Sequence, residues 1–279
     1  MSIMVQEIRK RLHKQNKNCI MIVVGPTGSG KSWWSNGFCL AVDPTFNASR
    51  IAHMKGSEFM RILRTKGIGR GKAIMWDDVG KGLKARDWQD IVNKTISDIM
   101  QTFRIRGLLV ILNAPDTARI DSEVRRLFHY QIEMQTINRQ EGYSKAKPFE
   151  IQVNTRTNKV YHKFPRITRD GQINVIKSIK VYKPPKELIR QYEKDKRKAY
   201  LSLEKESSKR IDKIEEKANR KNLNDFEMVA DVIRDMSRFT RTYGKRTIID
   251  QFLIMNEYDI GLPKAMKVKR LVERKLNLK

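Results

Sequence analysis

The residues whose types and spacing could do chemistry begin with Gly25, Pro26, Thr27, Gly28, Ser29, Gly30, Lys31 and Ser32. They fit the pattern G-x-x-x-x-G-K-[ST] with every defined position filled. Glycines there let the backbone curl until its N–H groups converge on phosphate oxygens. A helix starting just after them adds partial positive charge at the same place. Lys31 then reaches the terminal phosphates, and the Ser32 hydroxyl is a ligand for Mg²⁺. The implied chemistry is the grip of a nucleoside triphosphate, with ATP and Mg²⁺ as the expected cofactors.

A second group lies downstream. Ala73-Ile74-Met75-Trp76 is an apolar run that ends in Asp77 and Asp78. After a phosphate loop, such a run reads as the strand whose first acid, Asp77, holds the metal through water. Its second acid, Asp78, polarises the attacking water. A third candidate is Asn113, at the end of the apolar run Leu108 to Leu112 and just before Ala114-Pro115. It either senses the γ-phosphate or positions the water, or it simply starts the loop before Pro115. Arg104 and Arg106 precede that run. They suit the negative end of the helix before them, and one of them could also reach the γ-phosphate of a neighbouring subunit.

These side chains need particular elements to carry them. Asn18 to Val24 reads as a buried strand, and Trp33 to Val42 as the helix that follows the loop. Short strands are expected at residues 50–54 and 130–134, with a helix from Ser57 through Arg64. A longer helix carries Trp88, Ile91, Val92, Ile96, Ile99, Met100 and Phe103 at spacings of three and four, which is a core stripe. Strands alternating with helices predict an α/β core, a mostly parallel sheet with helices on both faces.

The 279 residues include 58 Lys and Arg against 31 Asp and Glu, a formal charge of +27. A field of that sign favours polyanions, nucleic acid first and an anionic membrane surface second. The four histidines are scattered, and Cys19 and Cys39 are expected to be buried and reduced. No run approaches the ~20 apolar residues of a membrane span, and no secretory signal is evident. The expected location is intracellular: cytoplasmic, or virion-associated if the source is viral.

The order of motifs is phosphate loop, Asp77-Asp78, long helix, Phe103-Arg104-Ile105-Arg106-Gly107, apolar strand, Asn113-Ala114-Pro115, then Ile120-Asp121 and Val124-Arg125. Over roughly residues 18–136 this resembles the HerA/FtsK superfamily of DNA-pumping ATPases, and within it the zonula-occludens-toxin-like branch of viruses and mobile elements. The resemblance implies a P-loop NTPase that forms a homo-oligomeric ring, often a hexamer, around double-stranded DNA. Lys31, Asp78 and Asn113 would be catalytic, and Arg106, or failing that Arg104, the finger acting in trans. The chain departs from the pattern at two positions. Asn113 stands where Gln is usual, and Asp78 where Glu is usual. Asp is one methylene shorter, so slower hydrolysis or a differently placed water is expected.

The remaining chain divides by pattern. Residues 1–143 form the expected ATPase core. Residues 144–182 read as a β-hairpin appendage, with alternation over 149–153 and 159–164. Residues 183–221, opened by Pro184-Pro185, read as a charged exposed helix. Residues 222–279 read as a helical DNA-binding module of helix-turn-helix type, with or without a wing. Its last helix turns Lys264, Lys267 and Arg270 outward, as candidates for the groove or the phosphates. The basic segments 66–72 and 81–84 are candidates for the ring interior.

A DNA translocase or genome-packaging motor is the leading expectation. The alternatives are a replication-initiator ATPase using nucleotide as an assembly switch, and a virion-assembly or secretion ATPase.

Overall fold

A computed structural model of the chain describes residues 2–79, 106–117, 122–157, 159–169, 171–221, 223–243 and 246–277. The expected helix over 87–103, Arg104, the 81–84 segment and Ile120-Asp121 lie outside these residues. The chain divides into two compact units, Met1–Leu201 and Ser202–Lys279.

The first unit is built on β1 (Cys19–Val24), whose six residues are all buried. Cys19, Met21 and Val23 face one core and Ile20, Ile22 and Val24 the other. That two-sided burial explains why the run is apolar throughout rather than alternating. Helices α1 (Ile3–His13) and α2 (Lys31–Val42) cover the first face with Met4, Ile8, Leu12, Trp34 and Phe38. Helix α3 (Gly56–Arg64) covers the second with Phe59, Ile62 and Leu63.

The strands β2 (Ile51–His53), β3 (Ala73–Asp77), β4 (Leu109–Ala114) and β5 (Tyr130–Asn138) run parallel with β1, in the order β5-β1-β4-β3-β2. A short helix, α4 (Ser122–Arg125), precedes β5. Strand β4 is therefore wedged between the phosphate-loop strand and the Asp77 strand. The fold is an α/β P-loop core.

The hairpin expected beyond residue 143 is present, but it does not stand apart as an appendage. Strand β6 (Tyr143–Val153) pairs antiparallel with β5, and β7 (Val160–Lys163) and β10 (Ile179–Tyr182) both pair with β6. The sheet is thus mixed, with one antiparallel wing. Strands β8 (Arg166–Arg169) and β9 (Gln172–Val175) form a small separate sheet. Gly37 explains how the wing fits against α2. A Cβ there would lie 2.6 Å from Val181 Cγ1 and 2.8 Å from the Tyr182 carbonyl oxygen. Glycine inside a helix costs about 1 kcal/mol relative to Ala, and here it permits close approach of β10.

Helix α5 (Lys186–Lys221) is a continuous helix of 36 residues. Its residues through Leu201 belong to the first unit and those from Ser202 to the second. The second unit continues with α6 (Asp225–Arg234), a hairpin of β11 (Thr240–Tyr243) and β12 (Arg246–Ile249), then α7 (Gln251–Tyr258) and α8 (Leu262–Lys275). Asn224 and Glu227 close a reciprocal capping box on α6. Met228, Val232, Phe239, Ile254, Tyr258, Val268 and Val272 make its core. Ile248 and Ile249 lie in β12, and Asp250 then caps α7 by accepting from Phe252 N. The hairpin precedes the α7–α8 pair rather than following it.

His129 couples the sheet to pH. Its Nδ1 accepts from the Ile20 amide at 3.0 Å, and its own amide donates to the Ile20 carbonyl at 2.9 Å. Burial, with Arg11 nearby, brings this imidazole down to about 4 from its ordinary 6.5. A depressed histidine pKa means that the folded state favours the neutral ring. Its stability contribution is therefore complete above about pH 6.5 and is lost as the pH falls toward 4. Unfolding free energy is expected to fall across that window, by up to about 3 kcal/mol from this group. His129→Gln, which keeps an acceptor but cannot titrate, should flatten the decline in urea titrations.

Candidate functional site

The phosphate loop lies where the motif requires, between the end of β1 and the start of α2. Gly30 adopts φ 87° as the residue before Lys31, a left-handed conformation suited to glycine. A Cβ on Gly30 would also meet Ile137 Cδ1 of β5 at 3.1 Å. Pro26, Thr27 and Gly28 are exposed at the tip. Lys31 Nζ donates to the carbonyls of Gly25 at 2.6 Å and Pro26 at 3.0 Å. Burial lowers the pKa of this ammonium, opposed by Asp78 and Asp77. Ser29 Oγ is buried with no hydrogen-bond partner, an orphaned donor that a phosphate oxygen would satisfy.

Asp77, at the C-terminal end of β3, is fully buried. Its Oδ1 accepts from Ser32 Oγ at 3.0 Å and from Asn113 Nδ2 at 2.7 Å. Its Oδ2 accepts from Lys196 Nζ at 2.8 Å and from the Tyr192 hydroxyl. Burial pushes this carboxyl up, but Lys196 and the hydrogen bonds from Lys196, Tyr192 and Asn113 outweigh it, leaving the acid below its ordinary value. The hydroxyl of Ser32 and the carboxylate of Asp77 are hard oxygen donors, the set that suits Mg²⁺. Both therefore fit the metal expected from the sequence.

Asp78 follows in a different environment, with its side chain 23% exposed against 1% for Asp77. Its φ is 50°. Asp and Asn tolerate the left-handed region better than longer side chains do. That supplies a backbone reason for Asp where the resemblance led one to expect Glu.

Asn113 is fully buried between the loop and Asp77. While its amide nitrogen donates to Asp77, its Oδ1 accepts from Ser35 Oγ of α2 at 2.6 Å. In this geometry Asn113 orients the carboxylate.

Arg106 lies before β4, at the sheet edge away from the phosphate loop, about 20 Å off by strand rise. Its Nη1 donates at 3.0 Å to the Leu63 carbonyl in the last turn of α3. That contact is with α3; the helix whose negative end Arg106 was expected to face lies outside the described residues. Lys72, from the 66–72 loop, donates to Thr45 Oγ1 at 2.6 Å.

Sequence reasoning did not find the contribution of α5. Tyr192, Lys196 and Tyr200 are spaced by four on one helical face. Lys196 Nζ lies 2.8 Å from Oδ2 of both Asp77 and Asp78, and the Tyr200 hydroxyl donates to Asp78 Oδ2 at 2.9 Å. The same ammonium sits 5.3 Å from the Tyr192 ring centroid and 6.0 Å from that of Tyr200. Although burial alone would lower the Lys196 pKa, Asp77 raises it well above the ordinary value. The available signal was a lysine midway between two tyrosines in a helix otherwise poor in aromatic residues. Nearby, His53 is buried with both ring nitrogens unpartnered, 5.4 Å from the Tyr192 ring.

Among the described residues no cluster of His, Cys, Asp and Glu forms a further metal site. None of the described helices is long and apolar enough to cross a membrane.

No family model matches the chain, and no curated protein does. Among solved structures it is similar to the N-terminal domain of zonular occludens toxin from Neisseria meningitidis, at 14% identity and a TM-score of 0.32. That likeness covers 52% of this chain and 93% of the other. It is also similar to the FIGL-1 AAA domain, at 15% identity and a TM-score of 0.35. Here 46% of this chain is covered, and the match spans 48% of the other. Likenesses this distant say nothing of function, and the core is defined by its own strand order and loop.

Asn113→Ala should remove one donor from the buried Asp77 charge. An expected loss of about 1–3 kcal/mol in unfolding free energy follows, measurable by urea denaturation near neutral pH.

Proposed function

We propose that the protein is a Mg²⁺-dependent ATPase that moves or packages double-stranded DNA as a ring of identical subunits. The observation that carries the ATPase reading is the Ser32 Oγ–Asp77 hydrogen bond at 3.0 Å. It ties the phosphate loop to the acid strand across the intervening β4. Ser32 and Asp77 would hold the metal, which neutralises charge on the transferring phosphoryl group. Lys31 would turn from the loop carbonyls to phosphate. Asp78, the more exposed acid, would orient the attacking water and accept its proton.

The DNA reading is supported by the net charge of +27 and by the outer face of α8. Lys264, Lys267 and Arg270 are exposed there, with Arg274 one turn further on. Lys264 and Lys267 approach Asp225 at 3.9 Å and 2.6 Å. Surface pairs of this kind are worth little, about 0–1 kcal/mol, so phosphates can compete for these lysines. In a ring, Arg106 would be offered to a neighbour's γ-phosphate. Its test is subunit mixing: Arg106→Ala protein should depress the turnover of wild-type partners.

Hydrolysis measured with and without long double-stranded DNA tests the whole reading. Strong stimulation independent of sequence is expected, with Lys31→Ala inactive. Weak turnover with tight binding to one sequence would favour an initiator instead. Asp78→Asn should lose about 10²- to 10⁴-fold in turnover while still binding nucleotide. Replacing Lys264, Lys267 and Arg270 by Ala should weaken DNA binding across sequences. It should also flatten the log–log salt dependence by about 0.9 per lost phosphate contact.

A further inference from the structure

The two acids assigned above to metal and water are held by the chain's own α5. Lys196 Nζ bridges Asp77 Oδ2 and Asp78 Oδ2, 2.8 Å from each. The Tyr192 and Tyr200 hydroxyls donate to the same two oxygens. Leu188 and Tyr192 are buried, anchoring the start of the helix. This is a built contact rather than a solvated charge, since the Lys196 side chain is 22% exposed and two tyrosine rings flank its ammonium. A divalent cation held by Ser32 and Asp77 would need the same carboxylate charge that Lys196 now neutralises. The two cations would also repel one another at this spacing in a partly buried site.

We propose that residues 188–200 of α5 form a self-inhibitory strap, in which Lys196 takes the place of the divalent cation on Asp77, ties up Asp78 as well, and must withdraw before Mg²⁺–nucleotide binds. The proposal rests on the ATPase reading. It adds that nucleotide binding is gated from within the subunit.

Calorimetry of Mg²⁺–ADP binding to the full chain, joined to amide hydrogen exchange, tests it. Lys196→Met keeps the aliphatic stem and removes the charge. If the strap holds the site closed most of the time, this variant should bind Mg²⁺–ADP about tenfold more tightly than wild type. Tyr200→Phe, which removes one hydroxyl and leaves Lys196 in place, should tighten binding in the same direction and by less. In the wild type, amides of residues 190–200 should exchange faster when Mg²⁺–ADP is bound. Unchanged or weaker Mg²⁺–ADP binding by Lys196→Met would overturn the strap and make Lys196 a phosphate ligand or a structural residue. Unchanged or slower exchange in wild-type α5 on Mg²⁺–ADP binding would overturn it without recourse to any variant. Failure of both the wild type and Lys196→Met to bind any Mg²⁺–nucleotide would instead refute the ATPase reading.

Discussion

The buried carboxylate of Asp77 is the constraint around which the first unit is arranged. A charge at that depth is tolerated only when it is paired and hydrogen-bonded. Its donors come from three separate elements: Ser32 on α2, Asn113 on β4, and Tyr192 and Lys196 on α5. Each element must reach the C-terminal edge of β3 at the same point. The wedging of β4 between β1 and β3 supplies Asn113, and the parallel register of β1 and β4 brings the loop alongside.

The two adjacent acids are separated in character by backbone and burial. Asp77 finishes a strand and faces inward. Asp78 turns through a left-handed residue into a more open position. Neighbouring carboxylates at a strand end are thereby given different surroundings, one facing the loop serine and one in a more open position. Helix α5 then bridges them with a single ammonium. The ammonium offsets part of the charge of the two acids, and the buried Leu188 and Tyr192 rest the first turns of the helix on the core.

Much of this arrangement was legible in the chain. The loop, the strand before it and the Asp77-Asp78 strand end are local patterns, and each element stands where its pattern put it. Asn113 was legible as a polar residue at a strand end, but its target was not. Which carboxylate an amide meets depends on strand order, and nothing in residues 108–115 encodes that β4 lies between β1 and β3. The antiparallel wing was read as a separate hairpin for the same reason. Alternation shows that β6 has two different faces, while its pairing with β5 depends on residues elsewhere in the chain. Arg106 carried an ambiguous signal, and its contact with the Leu63 carbonyl of α3 is one that the residues around it do not announce.

The sequence by itself determined the phosphate loop, the acid pair, the α/β alternation and the net basic charge, because these depend on residue type and short spacing. Only the tertiary structure decided what Lys196, Tyr192 and Tyr200 do. In sequence they are three residues of a charged helix more than a hundred positions from Asp77. Their meaning comes from the long-range closure that sets that helix against the end of β3. Such a closure is driven by burial of the whole face and by the need of one buried charge for partners, and no local pattern records it.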